Sequence, residues 1–355
     1  MNAFTIQPAD RIGSLKQYQP PSRDARITLT LDNNEGAPVD ASVLEAIKDT
    51  APEALTCYPD ASGLERDIAQ RFSIDASRVI VTNGGDDAID RICRAMLDSG
   101  DVMLTHTPGF VMIPRYAQLA GAKVNSVNWL DGSFPLQGML DTIDDRTKLV
   151  ALVSPNNPTG KVIDTVSILE IASKARSVGA AVLLDQAYIE FAVEDPIVRV
   201  LDLPNVVVVR TFSKSMGLAG QRVGYAIGPK QIINWMRTVG GPYPVSVLSL
   251  ILTQAAFEQS ALREPMIART VAHRAMLIEA LLAMDIATVP SQANFVLARF
   301  DDSAATHAAL IEQGVSVRHF RQGGDIEPYL RITVPACPAQ QNQLLAALST
   351  IGAAP

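Results

Sequence analysis

Between Arg78 and Lys214 the chain repeats one pattern: a short run that is apolar at successive positions, then a stretch in which apolar residues recur every three or four. "RVIVTNG" precedes "DDAIDRICRAML", "VMLTHTPGF" precedes "VMIPRYAQLAG", and "KLVALVSP" precedes "TVSILEIASKARSVG"; "AAVLLDQ" and "NVVVVRTFSK" follow. Strands that are apolar on both faces, separated by amphipathic helices, predict a mostly parallel sheet with helices on both sides, an α/β domain. From Gln231 to Met284 the pattern turns largely helical, with a break at "GGPYP". The short runs "ANFVLARF", "GVSVRHF" and "YLRITV" then alternate with helical stretches, which predicts a smaller α+β domain. The opening residues, rich in Pro, Gln and Arg, read as an extended arm. The expected division is an arm over 1–30, a large α/β domain over 31–235 and a small α+β domain over 236–355.

Composition narrows the partners. With 355 residues, 48% hydrophobic and 19% charged, the chain can bury a large core in two domains. A net charge of −7 removes the broad positive field that nucleic acid or an anionic membrane requires, so a small molecule is the expected partner. The N-terminal stretch has no apolar h-region and no run approaches the roughly 18 residues of a membrane span, so a cytoplasmic location is expected. Cys57, Cys93 and Cys337 are scattered and odd in number, as suits reduced thiols. The four histidines show no metal-ligand spacing, and no metal is expected.

The candidate chemistry lies where the apolar runs end. In "RTFSKSMGLAGQRVGY" a buried run delivers Lys214, between two serines, to a loop of small residues, with Arg222 eight positions on. Asp185 in "LLDQAYIEF" directly follows another run, and Tyr188 comes three residues later. Taken alone, such an aspartate is more often a cap or turn former. "SPNNPTG" holds Asn157 between prolines, which is a turn or a rigid mount for an amide. "TNGGDDAID" sets Gly84, Gly85 and Asp86 at a strand-to-helix junction, where free N–H groups and the helix dipole bind phosphate. Together these residues match an aldehyde cofactor with a ring nitrogen, a phenolic oxygen and a phosphate. Lys214 supplies the amine for a Schiff base, and Asp185 the carboxylate that keeps the ring nitrogen protonated. Asn157 and Tyr188 face the phenolate, and Gly84–Asp86 with Ser213 and Arg222 cradle the phosphate. The ligand that fits is pyridoxal 5′-phosphate.

On these motifs, "TFSKSMGLAGQRVGY", "DQAYIEF" and "PNNPTG", the sequence resembles the fold-type-one pyridoxal-phosphate aminotransferases of the class I/II superfamily, and within them the histidinol-phosphate aminotransferase subfamily. The resemblance runs from about Tyr18 to about Val334. It implies an aspartate-aminotransferase-like fold and a homodimer with shared active sites. It also implies that Phe110 in "TPGFVM" stacks on the cofactor ring, where some relatives carry tyrosine. Tyr58 in "CYPDASG" is matched to the tyrosine that reaches the cofactor phosphate of the neighbouring subunit. Arg331 in "YLRITV" is matched to the guanidinium that binds the substrate carboxylate. Tyr18 and Arg318 are matched to contacts with the distal anion of the substrate, and Asn34 with Glu35 to the family's "NEN" stretch, which is altered here to "NNEGAP".

The implied reaction is L-histidinol phosphate plus 2-oxoglutarate giving imidazole-acetol phosphate plus L-glutamate, in histidine biosynthesis. Lys214 acts as the base, Asp185 supports the ring, and Tyr188 joins them. The cofactor motifs alone leave open an aminotransferase for aromatic or other amino acids, or a phosphothreonine decarboxylase-like enzyme. A more distant alternative is a non-catalytic pyridoxal-phosphate-binding regulator, which the short arm and the negative charge oppose.

Overall fold

The computed structural model describes residues 6–13, 15, 17, 24–321 and 324–352. Its larger sheet has seven strands: β2 (Val79–Thr82), β3 (Val102–Thr107), β4 (Lys123–Asn128), β5 (Thr147–Val153), β6 (Ala181–Asp185), β7 (Val206–Thr211) and β8 (Gly224–Ile227). Their order is β2-β8-β7-β6-β5-β3-β4, and only β8 runs antiparallel to its neighbours.

Side chains alternate between the two faces of a strand, so a sheet covered on both sides needs apolar residues of both parities. Val150, Leu152, Val182, Leu184, Val206 and Val208 enter one core, while Leu149, Ala151, Val153, Leu183, Val207 and Val209 enter the other. Fully burying such a side chain contributes about 1.5–3 kcal/mol. The first core is covered by the helix Thr165–Ser177, through Ile168 and Ile171, and the second by the helix Gly84–Met96, through Ile89 and Ile92. Asp164 caps the former helix by accepting the Ser167 N–H at 2.9 Å, which fixes where it starts.

The second sheet has β1 (Leu29–Leu31), β9 (Thr288–Val289), β10 (Phe295–Arg299), β11 (Val315–His319) and β12 (Tyr329–Thr333), in the order β1-β11-β12-β10-β9. Leu31, Val296, Val317, Leu330 and Ile332 form its own core with Leu277, Leu281 and Leu344 of flanking helices.

Two expected boundaries differ from the packing. The arm expected over 1–30 ends inside β1, which pairs in parallel with β11 and so belongs to the smaller sheet, Leu31 included. The helix Val247–Glu258 lies beyond residue 235, yet it places Leu250, Leu252, Ala256 and Phe257 in the core of the larger sheet. Among the described residues no helix is long and apolar enough to cross a membrane.

Candidate active site

The chemically promising residues follow the C-terminal ends of strands in the larger sheet, the edge at which open α/β sheets bind ligands. Gly84 follows β2, Phe110 follows β3, Asn157 follows β5, Asp185 ends β6 and Lys214 follows β7.

At the β2 end, Gly84 has φ +75° and opens the 13-residue helix Gly84–Met96, with Asp86 in its first turn. A Cβ on Gly84 would lie 2.7 Å from Arg222 Nη2, so bare backbone and a guanidinium face each other there. Arg222 also donates to Asp86 Oδ2 at 3.2 Å, a half-exposed pair. The Ser213 hydroxyl oxygen accepts a bond from the Thr211 hydroxyl at 2.9 Å, which leaves its own proton for a ligand. N–H groups, a hydroxyl and a guanidinium at a helix N-terminus form an anion cradle.

Asp185 is buried, and one of its oxygens accepts the Ala187 N–H at 3.1 Å. Burial raises its carboxyl from 3.8 to about 7, and Asp86 adds to the rise while Lys214 opposes it. Lys214 lies in the loop after β7, with its Nζ donating to the Asn33 carbonyl at 3.0 Å. Burial lowers its ammonium to about 8, helped by the positive charges of Arg331 and Arg222. A carboxyl that ionises only near pH 7 and an amine that gives up its proton near pH 8 therefore share one site, a combination suited to proton transfer.

Tyr188 is buried edge-on against Phe295, with centroids 5.0 Å apart, and Lys214 Nζ lies 5.7 Å from its ring centre. Its hydroxyl accepts from Asn34 Nδ2 at 3.1 Å, and burial raises its pKa. Asn157 Oδ1 accepts from Arg331 Nη1 at 2.6 Å, so the Asn157 amide N–H₂ remains free to donate elsewhere. Arg331 Nη2 donates to the Asp32 carbonyl, also at 2.6 Å. Arg318 on β11 sits directly opposite Arg331 on β12, and paired positions share a face of the sheet. Arg318 makes no side-chain hydrogen bond or ion pair among the described residues.

The structure thus brings together Gly84, Gly85, Asp86, Ser213 and Arg222 as one cluster, and Asn34, Asn157, Asp185, Tyr188, Lys214 and Arg331 as another. Phe110 is half-buried against the core beside Ile113. Tyr58 stands apart: it is 80% exposed and stacks on Tyr243, with centroids 4.6 Å apart and planes 12° from parallel. Glu35 is exposed and acts on Lys214 only through its charge. Tyr18 lies outside the described residues.

Three participants escaped the sequence reading. Asp32 and Asn33 contribute through backbone carbonyls, which carry no residue-type signal. Gly36 sits where an added methyl would overlap the Lys214 carbonyl oxygen. The departure of "NNEGAP" from the family's "NENP" was the one available clue to that contact.

Comparison with known proteins adds a lineage. The family model described as "Aminotransferase class I and II" matches residues 27–348. A histidinol-phosphate aminotransferase of Caldanaerobacter subterraneus subsp. tengcongensis is 35% identical over 83% of this chain and 84% of its own. An aromatic amino acid aminotransferase of Cutibacterium acnes is 32% identical over 96% of this chain and 97% of its own. Among solved structures, the Sinorhizobium meliloti histidinol-phosphate aminotransferase in complex with pyridoxal 5′-phosphate superposes with a TM-score of 0.87. It covers 99% of this chain and 98% of its own at 23% identity, a likeness of fold.

Proposed function

Because the chain belongs to the class I and II aminotransferases, we propose that it transfers the amino group of L-histidinol phosphate to 2-oxoglutarate with pyridoxal 5′-phosphate as cofactor, in histidine biosynthesis. Relatives named for that activity at 35% and 34% identity support the choice of substrate. The observation that carries it is the opposition of Arg318 and Arg331 on one face of the smaller sheet. Like charges directly opposite each other destabilise a sheet, and an anionic substrate offsets that cost.

The residues fit the cofactor. Asp185 is a buried carboxylate that is costly to ionise alone, and a protonated ring nitrogen is the partner its surroundings lack. The cradle at Gly84, Gly85, Asp86, Ser213 and Arg222 suits the phosphate. Asn157 and Tyr188 would bond the phenolic oxygen, and Phe110 would lie against the ring. When bound, the cofactor supplies an electron sink for the substrate carbanion and a carrier for the amino group.

The chain's own groups do the rest. Arg331 holds the α-carboxylate of glutamate or 2-oxoglutarate, which histidinol phosphate lacks, and Arg318, with Tyr18, holds the remote anion that both donors carry. Lys214, whose amine is about half neutral near pH 8, takes the proton from the substrate Cα. The Asn33 carbonyl keeps that amine within the site beforehand. Glutamate and histidinol phosphate each carry a remote anion, so one pair of guanidinium groups serves both half-reactions.

Exposed Tyr58 supports a homodimer in which it reaches the neighbouring copy's site. Exposed Leu44, Ile47 and Leu248 lie on two helices that pack together and give such a partner apolar surface. The enzyme is read as cytoplasmic, acting on small molecules rather than on nucleic acid or membrane.

Two measurements test the reading. Borohydride reduction of the cofactor-loaded protein should leave the pyridoxyl mass on Lys214, and its appearance on another lysine would overturn the site. Histidinol phosphate should exceed unphosphorylated histidinol in kcat/KM by about ten- to a hundredfold, the worth of one charge-assisted bond. Equal values would favour the aromatic amino acid reading, which the 97% coverage of the Cutibacterium acnes enzyme supports.

A further inference from the structure

We infer that Arg263 is a positioning residue for Lys214, through a guanidinium that ties the lysine loop to the segment 33–38. Arg263 is buried, 7% exposed, in the short 3-10 turn Ser260–Arg263 that precedes the helix Glu264–Ala283. Its donors go to three backbone carbonyls and a sulfur: Nε and Nη2 to Ser215 O at 2.8 and 2.7 Å, Nη1 to Pro38 O at 3.0 Å, and Nη2 to Ala37 O at 3.3 Å and Met266 Sδ at 3.7 Å. Among the described residues no carboxylate shares them, although Asp40 is near enough for its charge to be felt. A buried cation that spends its donors on main chain serves to fix that main chain.

The two segments it joins already touch. A methyl at Gly36 would overlap the Lys214 carbonyl oxygen, and one at Gly217, whose φ is +70°, would overlap the Ala37 carbonyl oxygen. Backbone approaches backbone at both glycines, and the carbonyls left at that junction need donors, which Arg263 supplies. A ring closes through Lys214 Nζ, Asn33 O, the chain to Ala37 and Pro38, Arg263, and Ser215 O back to Lys214. The same segment carries Asn34, whose amide reaches the Tyr188 hydroxyl and whose N–H donates to Thr333 Oγ1 on β12 at 3.0 Å. Arg263 therefore links the lysine to the strand that also bears Arg331, without touching either cofactor or substrate.

The inference deepens the proposed role of Lys214, and a measurement on cofactor-free protein keeps the two separable. Trace acetylation of the full-length protein between pH 6 and 11, read on the Lys214 peptide by mass spectrometry, gives the titration midpoint of that amine whatever its accessibility. In the unchanged protein the midpoint should fall near 8. Arg263→Met should move it up by about one pH unit or more, as the loosened amine gains water. Arg263→Lys should move it in the same direction but less, because its ammonium keeps the charge and some of the donors yet cannot fork across Ser215 and Ala37–Pro38. Arg274→Met removes another buried guanidinium bonded to carbonyls, those of Phe191 and Ala293, and should leave the midpoint in place. The inference is overturned by an unchanged midpoint in Arg263→Met or, where that variant does not fold, in Arg263→Lys. An equal shift in Arg274→Met would overturn it as well. Failure of borohydride to fix cofactor on Lys214 would count against the proposed function and leave this result standing.

Discussion

Asp185 offers a perturbation whose sign depends on pH. In the folded chain its carboxyl sits at about 7 against an ordinary 3.8, chiefly through burial. Between those values the folded state binds more protons than the unfolded one, so stability is full below about pH 4 and falls as pH rises, with the loss complete above about 7. At about 1.4 kcal/mol per tenfold, that displacement corresponds to about 4 kcal/mol. Asn has nearly the same shape and no charge, so Asp185→Asn should match the unchanged cofactor-free protein at pH 4 and exceed it by about 4 kcal/mol at pH 8. Urea unfolding followed through Trp129, which is buried in the larger core, measures the difference. Groups that do not feel the Asp185 charge, buried His106 among them, titrate alike in both proteins and cancel, whereas Asp86, Lys214 and Tyr188 are coupled to it. Pyridoxal 5′-phosphate should narrow or reverse the ranking at pH 8, because only the carboxylate can pair with a protonated ring nitrogen, and transamination should collapse in the variant. A stability difference that does not change between pH 4 and 8 would refute the assignment of the buried charge.

Gly36→Ala should cost about 1–3 kcal/mol or more of unfolding free energy, because its methyl overlaps the Lys214 carbonyl, and the lost activity should exceed that of Gly241→Ala, where nothing lies within 4 Å. Arg318→Met should remove most of the preference for phosphorylated over unphosphorylated donor while leaving cofactor absorbance intact, and steady-state kinetics with both donors decides it. Mixing Lys214→Ala with Tyr58→Phe subunits should change activity per site if Tyr58 completes a partner's site, and additive activities would speak against it. His106 is pushed down to about 4 by burial, and its Nε2 accepts the Val153 N–H at 3.1 Å. Its neutral form is favoured on folding, so stability should fall as pH drops from 6.5 to 4, and the deficit of His106→Gln at pH 7 should shrink by about 3 kcal/mol at pH 4 in urea titrations.

How far sequence reaches can be read from individual elements. β5 through β7 are legible because both parities of each strand are apolar, a pattern that only a sheet covered on two sides requires. β4, "KVNSVN", is not: it lies at the sheet edge, four of its six residues are exposed, none is fully buried, and its polar positions resemble a loop. β1 is three residues long and becomes a strand by pairing with Val315–Val317, far along the chain. The helix Val247–Glu258 is legible as a helix, but its allegiance is not, since an apolar face does not say which of two cores will bury it.

The site divides along a different line. Side chains that act from strand ends are legible because a strand's length fixes where its last residue stands; Asp185 and Lys214 need only that. Arg318 and Arg331 need register: a shift of one residue in either strand would put one guanidinium on the helix-covered face beside Leu330 and Val317. No local signal specifies that register, yet the proposed discrimination between anionic and neutral donors depends on it. The carbonyls of Asp32, Asn33 and Ser215 lie further still from what composition can carry, because any residue presents a carbonyl and only the path of the chain decides where it points. The segment 33–38 shows how the two kinds of information meet. Its glycine is visible in the sequence, but its meaning, that Lys214's own backbone occupies the space a side chain would need, follows only from the fold.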